Sequence, residues 1–448
     1  MAADLRALHQ DLLRPLEPTG PAYKSTVLLL ALIAGWGGLC WLYMMYNGLG
    51  VSGISHPVGW GLYITNFVFW VGIAHSGTLI SAILFLFRAR WRTAIARSSE
   101  AMTVFAVMTA GLFPLVHLGR PWYFFWLLPY PNQRELQPNF RSPLVWDVFA
   151  ISTYLIISSV FLYLGLIPDL AAARDTARGA RRKLYGLLAL GWRGTGRQWR
   201  SFSSAYLLFC GLATPLVVSV HSVVSWDFAM GIVPGWHATI FAPYFVAGAI
   251  LSGLAMVLTL SIPLRRLLRL EAYITMRHFE NLAKLILLTS LIVGYAYVVE
   301  AHLAWGSGDR IERDSFGLRF HGSWESPLFW LMVACNAVIP LLFFARRVRT
   351  HLPSLFGIAL LINVGMYLER LVIISGSLSH DFLPAVWRGY HPTWVEASIT
   401  LGSFGWFLMW FVLFVRQAPP LPIAELKEHV GVGGGEGLGP NRAGRPLR

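Results

Sequence analysis

Residues 58–87 read VGWGLYITNFVFWVGIAHSGTLISAILFLF, a run without one Asp, Glu, Lys or Arg. About twenty apolar residues in a helix cross the hydrocarbon core of a bilayer, so this stretch predicts a transmembrane helix. An isolated strand is excluded there, because lipid offers no partner for free backbone groups. Nine further runs of the same kind lie at 24–46, 100–118, 144–167, 202–224, 239–262, 279–304, 327–345, 354–375 and 393–415. The 448 residues are 56% hydrophobic and only 13% charged. A water-soluble domain carries nearer about 25% charged residues. The reading is therefore an all-α integral membrane protein of about ten spans, and a soluble globular enzyme is excluded.

Loop charges predict the orientation. One alternating set of loops holds nineteen basic residues, at 88–97, 174–200, 265–277 and 346–349. The other set holds seven: Arg120, Arg134, Arg141, Arg310, Arg313, Arg319 and Arg388. The positive-inside rule places the basic set, and with it both termini, in the cytoplasm. The net charge of +14 is then an orientation signal, with anionic lipid as a secondary partner and no nucleic acid. Residues 1–23 mix acidic, basic and apolar positions, which predicts a short amphipathic segment rather than a signal peptide. Cys40, Cys210 and Cys335 stand apart inside apolar runs. That pattern predicts no disulfide framework, structural zinc or self-held iron–sulfur cluster.

The quoted stretch has a counterpart. Gly59-Trp60, Phe69, Gly72 and Ser76-Gly77 recur at the same spacing as Gly235-Trp236, Phe245, Gly248 and Ser252-Gly253. His117-Leu118 closes the third span and His302-Leu303 the seventh. Ser142-Pro143-Leu144 with Trp146 opens the fourth, and Ser326-Pro327-Leu328 with Trp330 the eighth. Blocks of four helices keep the same orientation, so the expectation is a parallel repeat about an axis along the membrane normal. Spans two to five and six to nine form two four-helix bundles, with spans one and ten flanking them. The expected organisation is a cytoplasmic segment 1–23, a flanking helix and outer loop 24–57, a first bundle 58–234, a second bundle 235–388 and a last flanking helix 389–416. A disordered, Gly-rich cytoplasmic tail is expected over 417–448.

Ionisable groups inside spans are costly and are functional candidates by default. Most cluster toward the outer ends, His117, Asp147, His221 and Asp227 among them, while His75 lies near mid-membrane and Glu369-Arg370 in the ninth span. His117 ends the third span and Asp147 lies about one turn into the fourth, so the two can face one apolar pocket. An imidazole and a carboxyl there suit two-proton chemistry. Each also has a plainer reading as a helix-end group meeting water. Below Asp147, residues His75, Thr78, Ser152, Ser158, Thr214 and Ser219 suggest a proton path toward the cytoplasm, which Glu369 extends. The competing expectation is that these hydroxyls bond back to their own helices. With a single deep histidine and no CxxCH sequence, no haem is expected.

The paired Ser-Pro-Leu-x-Trp motifs, Leu118-Gly119-Arg120-Pro121 and the outer His and Asp resemble the NrfD or polysulfide-reductase membrane subunits. With the flanking helices and the stretch His56-Pro57 to His75-Ser76-Gly77-Thr78, the chain looks most like the quinol-binding NrfD-like subunit of bacterial alternative complex III. The resemblance covers roughly residues 24–416. It implies a multi-pass subunit of the bacterial inner membrane that takes menaquinol or another quinol near the periplasmic face. It implies a respiratory complex, in which electrons pass to a periplasmic-side iron–sulfur subunit, with a multihaem cytochrome c and a second NrfD-like subunit as further partners. It assigns His117 and Asp147 as catalytic and quinol-binding, with Asp227 after the fifth helix. His221 is added to the quinol-binding set. The second block keeps His302 but has Leu331 where the first has Asp147, so only the first block is expected to hold a quinol site. A proton-coupled transporter and an inactive scaffolding paralogue are the alternative readings.

Overall fold

The computed structural model describes residues 10–17, 20–127, 142–236 and 238–432. Among them no strand occurs, and ten helices are long and apolar enough to cross a membrane. They are α1 Pro21–Asn47, α2 Leu62–Leu86, α3 Thr93–His117, α4 Pro143–Thr176, α5 Gly196–Ala229, α6 Phe241–Leu267, α7 Met276–Gly306, α8 Ser326–Phe344, α9 Leu352–Ser379 and α10 Trp394–Gln417. Each coincides with an expected run, and the differences lie at the ends.

The largest differences have one electrostatic cause. α3 starts at Thr93 and α4 runs on to Thr176, so charged positions read as loop lie inside helices. Arg97 is buried and pairs with Glu100 at 2.9 Å and with Asp169 of α4 at 3.1 Å. Its guanidinium also donates to the Gly165 carbonyl at 2.6 Å. Arg92 pairs with Glu425 at 2.8 Å. Arg92 and Arg97 are thus internal ties, not free orientation charges. Burying a charge is tolerable when it is paired and hydrogen-bonded, and periodicity alone does not reveal that pairing.

Helices α2 to α5 pack as one ring and α6 to α9 as another, while α1 lies along α10, which leans on α3. α2 is the most enclosed helix and touches α3, α5, α6 and α9. The small residues of the two repeat copies meet where the rings join. A Cβ added at Gly253 of α6 would strike the Ser76 hydroxyl of α2, and one at Gly72 would lie 3.2 Å from the Ser252 hydroxyl. The repeat motif is therefore the seam between bundles, the close backbone approach that small residues permit in lipid. α1 and α10 use the same device, Gly37 against Gly402.

The expected disordered tail contains structure. After α10 the chain turns back, and Ile423–Val432 is helical. Leu421, Ile423 and Leu426 are buried against the basic end of the first bundle. The Ala424 amide donates to Asp169 at 3.3 Å. These three apolar side chains and Glu425 dock the segment onto the first bundle. Residues 1–9, 433–448, Arg134, Arg141 and His237 lie outside the described residues.

Candidate functional site

The C-terminal end of α3 is shaped by three backbone-controlling residues. Pro114 lacks an amide hydrogen, which frees the carbonyl one turn earlier. Gly119 takes φ +70° just past the helix, the left-handed conformation that glycine adopts without a Cβ penalty. Pro121 then opens the short helix Pro121–Leu127, which carries Phe124 into the cavity wall. His117, in the last turn of α3, Asp147, in the second turn of α4, and Asp227, near the end of α5, converge there.

Together with α2 these ends enclose a cavity of about 440 Å³. Its walls are apolar, with Trp60, Ile64, Phe67, Leu115, Leu144 and Ile151. Its polar groups are His117, Asp147, Asp227 and Ser152. A Cβ at Gly111 would meet nothing within 4 Å, so this lining glycine leaves space open. An apolar cavity of this size with a few convergent polar groups is the usual form of a small-molecule site.

Asp147 and Asp227 face each other within hydrogen-bond reach. Such a bond requires one of the two carboxyls to carry a proton. Among the described residues the Oδ1 atoms of both, and Nδ1 of His117, have no hydrogen-bond partner. Buried polar atoms are ordinarily satisfied. Three orphaned atoms around one apolar cavity fit a ligand that brings its own hydroxyl groups.

The other candidates divide between two places. His221 does not line this cavity. It lies about two turns below Asp227, fully buried, its ring 4.7 Å from that of His75. The premise of a single deep histidine is therefore corrected, and the two rings touch edge to face with no group between them. Below them Thr78 and Tyr154 share a hydrogen bond at 3.1 Å. Ser158 lines a minute cavity of about 10 Å³ with Thr78, Ser81, Thr103 and Glu100. Ser81, Thr214 and Ser219 bond back to their own helices, as the plainer reading expects. Glu369 belongs to the second bundle, with Arg370 at 3.1 Å and the Tyr297 hydroxyl bonded to it. It is not joined to the hydroxyl groups of the first bundle. His302 and Leu331, the repeat counterparts of His117 and Asp147, are exposed. Sequence reading missed the aromatic walls and Glu100, whose position at the expected start of the third span gave no sign of burial.

Comparison with known proteins agrees with this architecture. The family model for polysulphide reductase, NrfD, matches residues 50–380. A putative dimethyl sulfoxide reductase membrane subunit of Halobacterium salinarum is 29% identical, over 84% of this chain and 86% of that one. A selenate reductase subunit of Mesobacillus selenatarsenatis is 21% identical, over 88% and 94%. An Hdr-like menaquinol oxidoreductase integral membrane subunit of Archaeoglobus fulgidus is 20% identical, over 55% and 52%. Among the described residues no group of three or more His, Cys, Asp or Glu side chains is placed to hold a metal ion. With ten apolar helices and a family match over most of its length, the chain is a multi-pass integral membrane protein that belongs to the NrfD polysulphide reductase family.

Proposed function

We propose that the chain is the quinol-oxidising membrane subunit of a respiratory oxidoreductase complex, with menaquinol or a similar quinol as its substrate. The observation that carries this reading is the convergence of His117 and the Asp147–Asp227 pair on one apolar cavity. The three relatives support it, since their names describe subunits of reductases and of a menaquinol oxidoreductase.

The chemistry balances on these residues. A quinol gives up two protons and two electrons when it becomes a quinone. Neutral His117 accepts one proton, and the carboxyl pair, which already shares one, accepts the second. The electrons leave singly to an iron–sulfur partner docked at the outer face, with a multihaem cytochrome and a second NrfD-like subunit as proposed neighbours. The exposed aromatics Trp122, Tyr123 and Phe125 flank Phe124 and suit that contact. Apolar walls hold the ring and exclude water from the acceptors. Ser152, Tyr154, His75 and Ser158 offer a proton route from the cavity toward the basic face.

The test is quinol-to-acceptor turnover by the purified complex, normalised to the amount of assembled complex. Acid–base groups contribute about a hundredfold or more. Allowing for water as a substitute acceptor, His117→Phe should lower turnover at least about tenfold, while its exposed counterpart His302→Phe leaves it nearly unchanged. Equal losses in both variants would remove the basis for a first-bundle site.

A further inference from the structure

The connection between α4 and α5 carries a helix of its own, Gly179–Leu188. Arg181, Arg182 and Lys183 precede Leu184 and Leu187. Leu184, Leu187 and Leu190 are exposed at 51%, 73% and 66%. Tyr185 turns inward, and its hydroxyl donates to the Gln417 carbonyl at 2.9 Å. A basic amphipathic helix at the mouth of membrane spans lies in the plane of the interface, leucines toward acyl chains and cations toward headgroups.

A cavity of about 500 Å³ opens between this helix, the end of α4 and the N-terminal segment. Three guanidiniums from three segments line it: Arg14, Arg178 and Arg181. Two are fixed from behind. Arg14 donates to the Leu268 carbonyl at 2.9 Å, and Arg181 to the Leu16 carbonyl at 2.8 Å. Arg178 has no hydrogen-bond or ion-pair partner among the described residues. Among the described residues Glu17 is the one carboxylate in the lining, against three cations, and Leu13 and Leu16 supply an apolar part.

We propose that this cavity binds the phosphodiester headgroup of an anionic phospholipid, whose acyl chains run along the exposed leucines. Convergent guanidiniums match phosphate geometry and charge. The exposed leucines beside them decide for a lipid over a free anion, since a free anion gains nothing from apolar surface. Bound there, the lipid would clamp the N-terminal segment to the α4–α5 connection. This inference does not depend on the quinol reading.

The test is a phosphatidylglycerol titration of the full chain in phosphatidylcholine nanodiscs, with retained lipid counted by native mass spectrometry. A cation near a bilayer surface contributes about fivefold in affinity for anionic lipid. Arg178→Gln should weaken phosphatidylglycerol binding about fivefold, and Arg178→Gln with Arg181→Gln about twenty-five-fold. Arg178→Gln alone suffices if the double variant fails to fold, because Arg178 has no internal bond to lose. Arg346→Gln, on a different basic loop, should bind as wild type. Unchanged affinity in both cavity variants, or an equal loss in Arg346→Gln, would overturn the site. Displacement of the lipid by millimolar inorganic phosphate would show a free-anion site and overturn the lipid assignment.

Discussion

Asp227 gives the carboxyl pair its meaning. A lone Asp147 is a proton acceptor in an apolar wall, whereas two carboxyls sharing a hydrogen bond form one unit with a single vacancy for a proton. Asp147→Asn and Asp227→Asn should therefore each lower quinol turnover at least about tenfold. The double variant should be little worse than either single one, because residues that act as a unit are not additive. Turnover of the three variants, each checked for assembly with its partner, measures this; multiplicative losses would mean two independent groups. Gly111 offers a steric test of the same cavity. Gly111→Phe should fill open space and suppress turnover in a folded protein, while Gly111→Ala is tolerated. His117 and Asp147 were legible from spacing alone, since each closes or opens an apolar run. The Asp227 assignment needed the family resemblance. A fifth span ending at 224 sets His221 near its outer end. α5 continues to Ala229, which sets His221 two turns deep beside His75.

At the scale of helices, the apolar runs disclosed all ten spans, because hydropathy over about twenty residues is a strong signal. It failed where charge is paired. Arg97 and Asp169 look like loop residues in sequence, yet with Glu100 they bind α3 to α4 in the interior. Removing one partner of a buried ion pair leaves an uncompensated charge and costs about 3–5 kcal/mol. Arg97→Leu should therefore strongly lower the thermal midpoint of the purified chain, and deletion from residue 418 onward should lower it through loss of Glu425 and the buried Leu421 and Leu426. Just before α8, Glu325 is buried and sits 3.2 Å from His380. Burial alone raises its pKa, but bonds from His380 and Ser323 outweigh that and hold the carboxyl below its ordinary value. A depressed carboxyl pKa contributes stability that is present above the unfolded value, near about 4.3, and is lost as pH falls through the folded value. Wild type should lose more thermal stability than Glu325→Gln as pH is taken from about 5 to about 3, below the unfolded carboxyl value.

The whole molecule combines a symmetric scaffold with an asymmetric chemistry. The repeat was visible in sequence, and its glycines and serines form the seam between the bundles. The cavity occurs where the first copy has His117, Asp147 and Asp227, while the second copy exposes His302 and Leu331 and buries the Glu369–Arg370 pair instead. Orientation is open to direct measurement, because Cys40, Cys210 and Cys335 are all buried and give little background. Single cysteines at exposed Ser307 and Leu383 should label from outside intact cells, and one at Thr350 only after permeabilisation. The reverse pattern would place the cavity on the cytoplasmic side.

Photolabelling of the native complex with an azido-quinone, followed by peptide mapping, tests the central claim most directly. The account predicts adducts within 111–127 and 144–152, at the walls around His117 and Asp147, suppressed by excess unlabelled quinol and lost in Gly111→Phe. Competable adducts confined to α7 and α8, around His302 and Leu331, would contradict it.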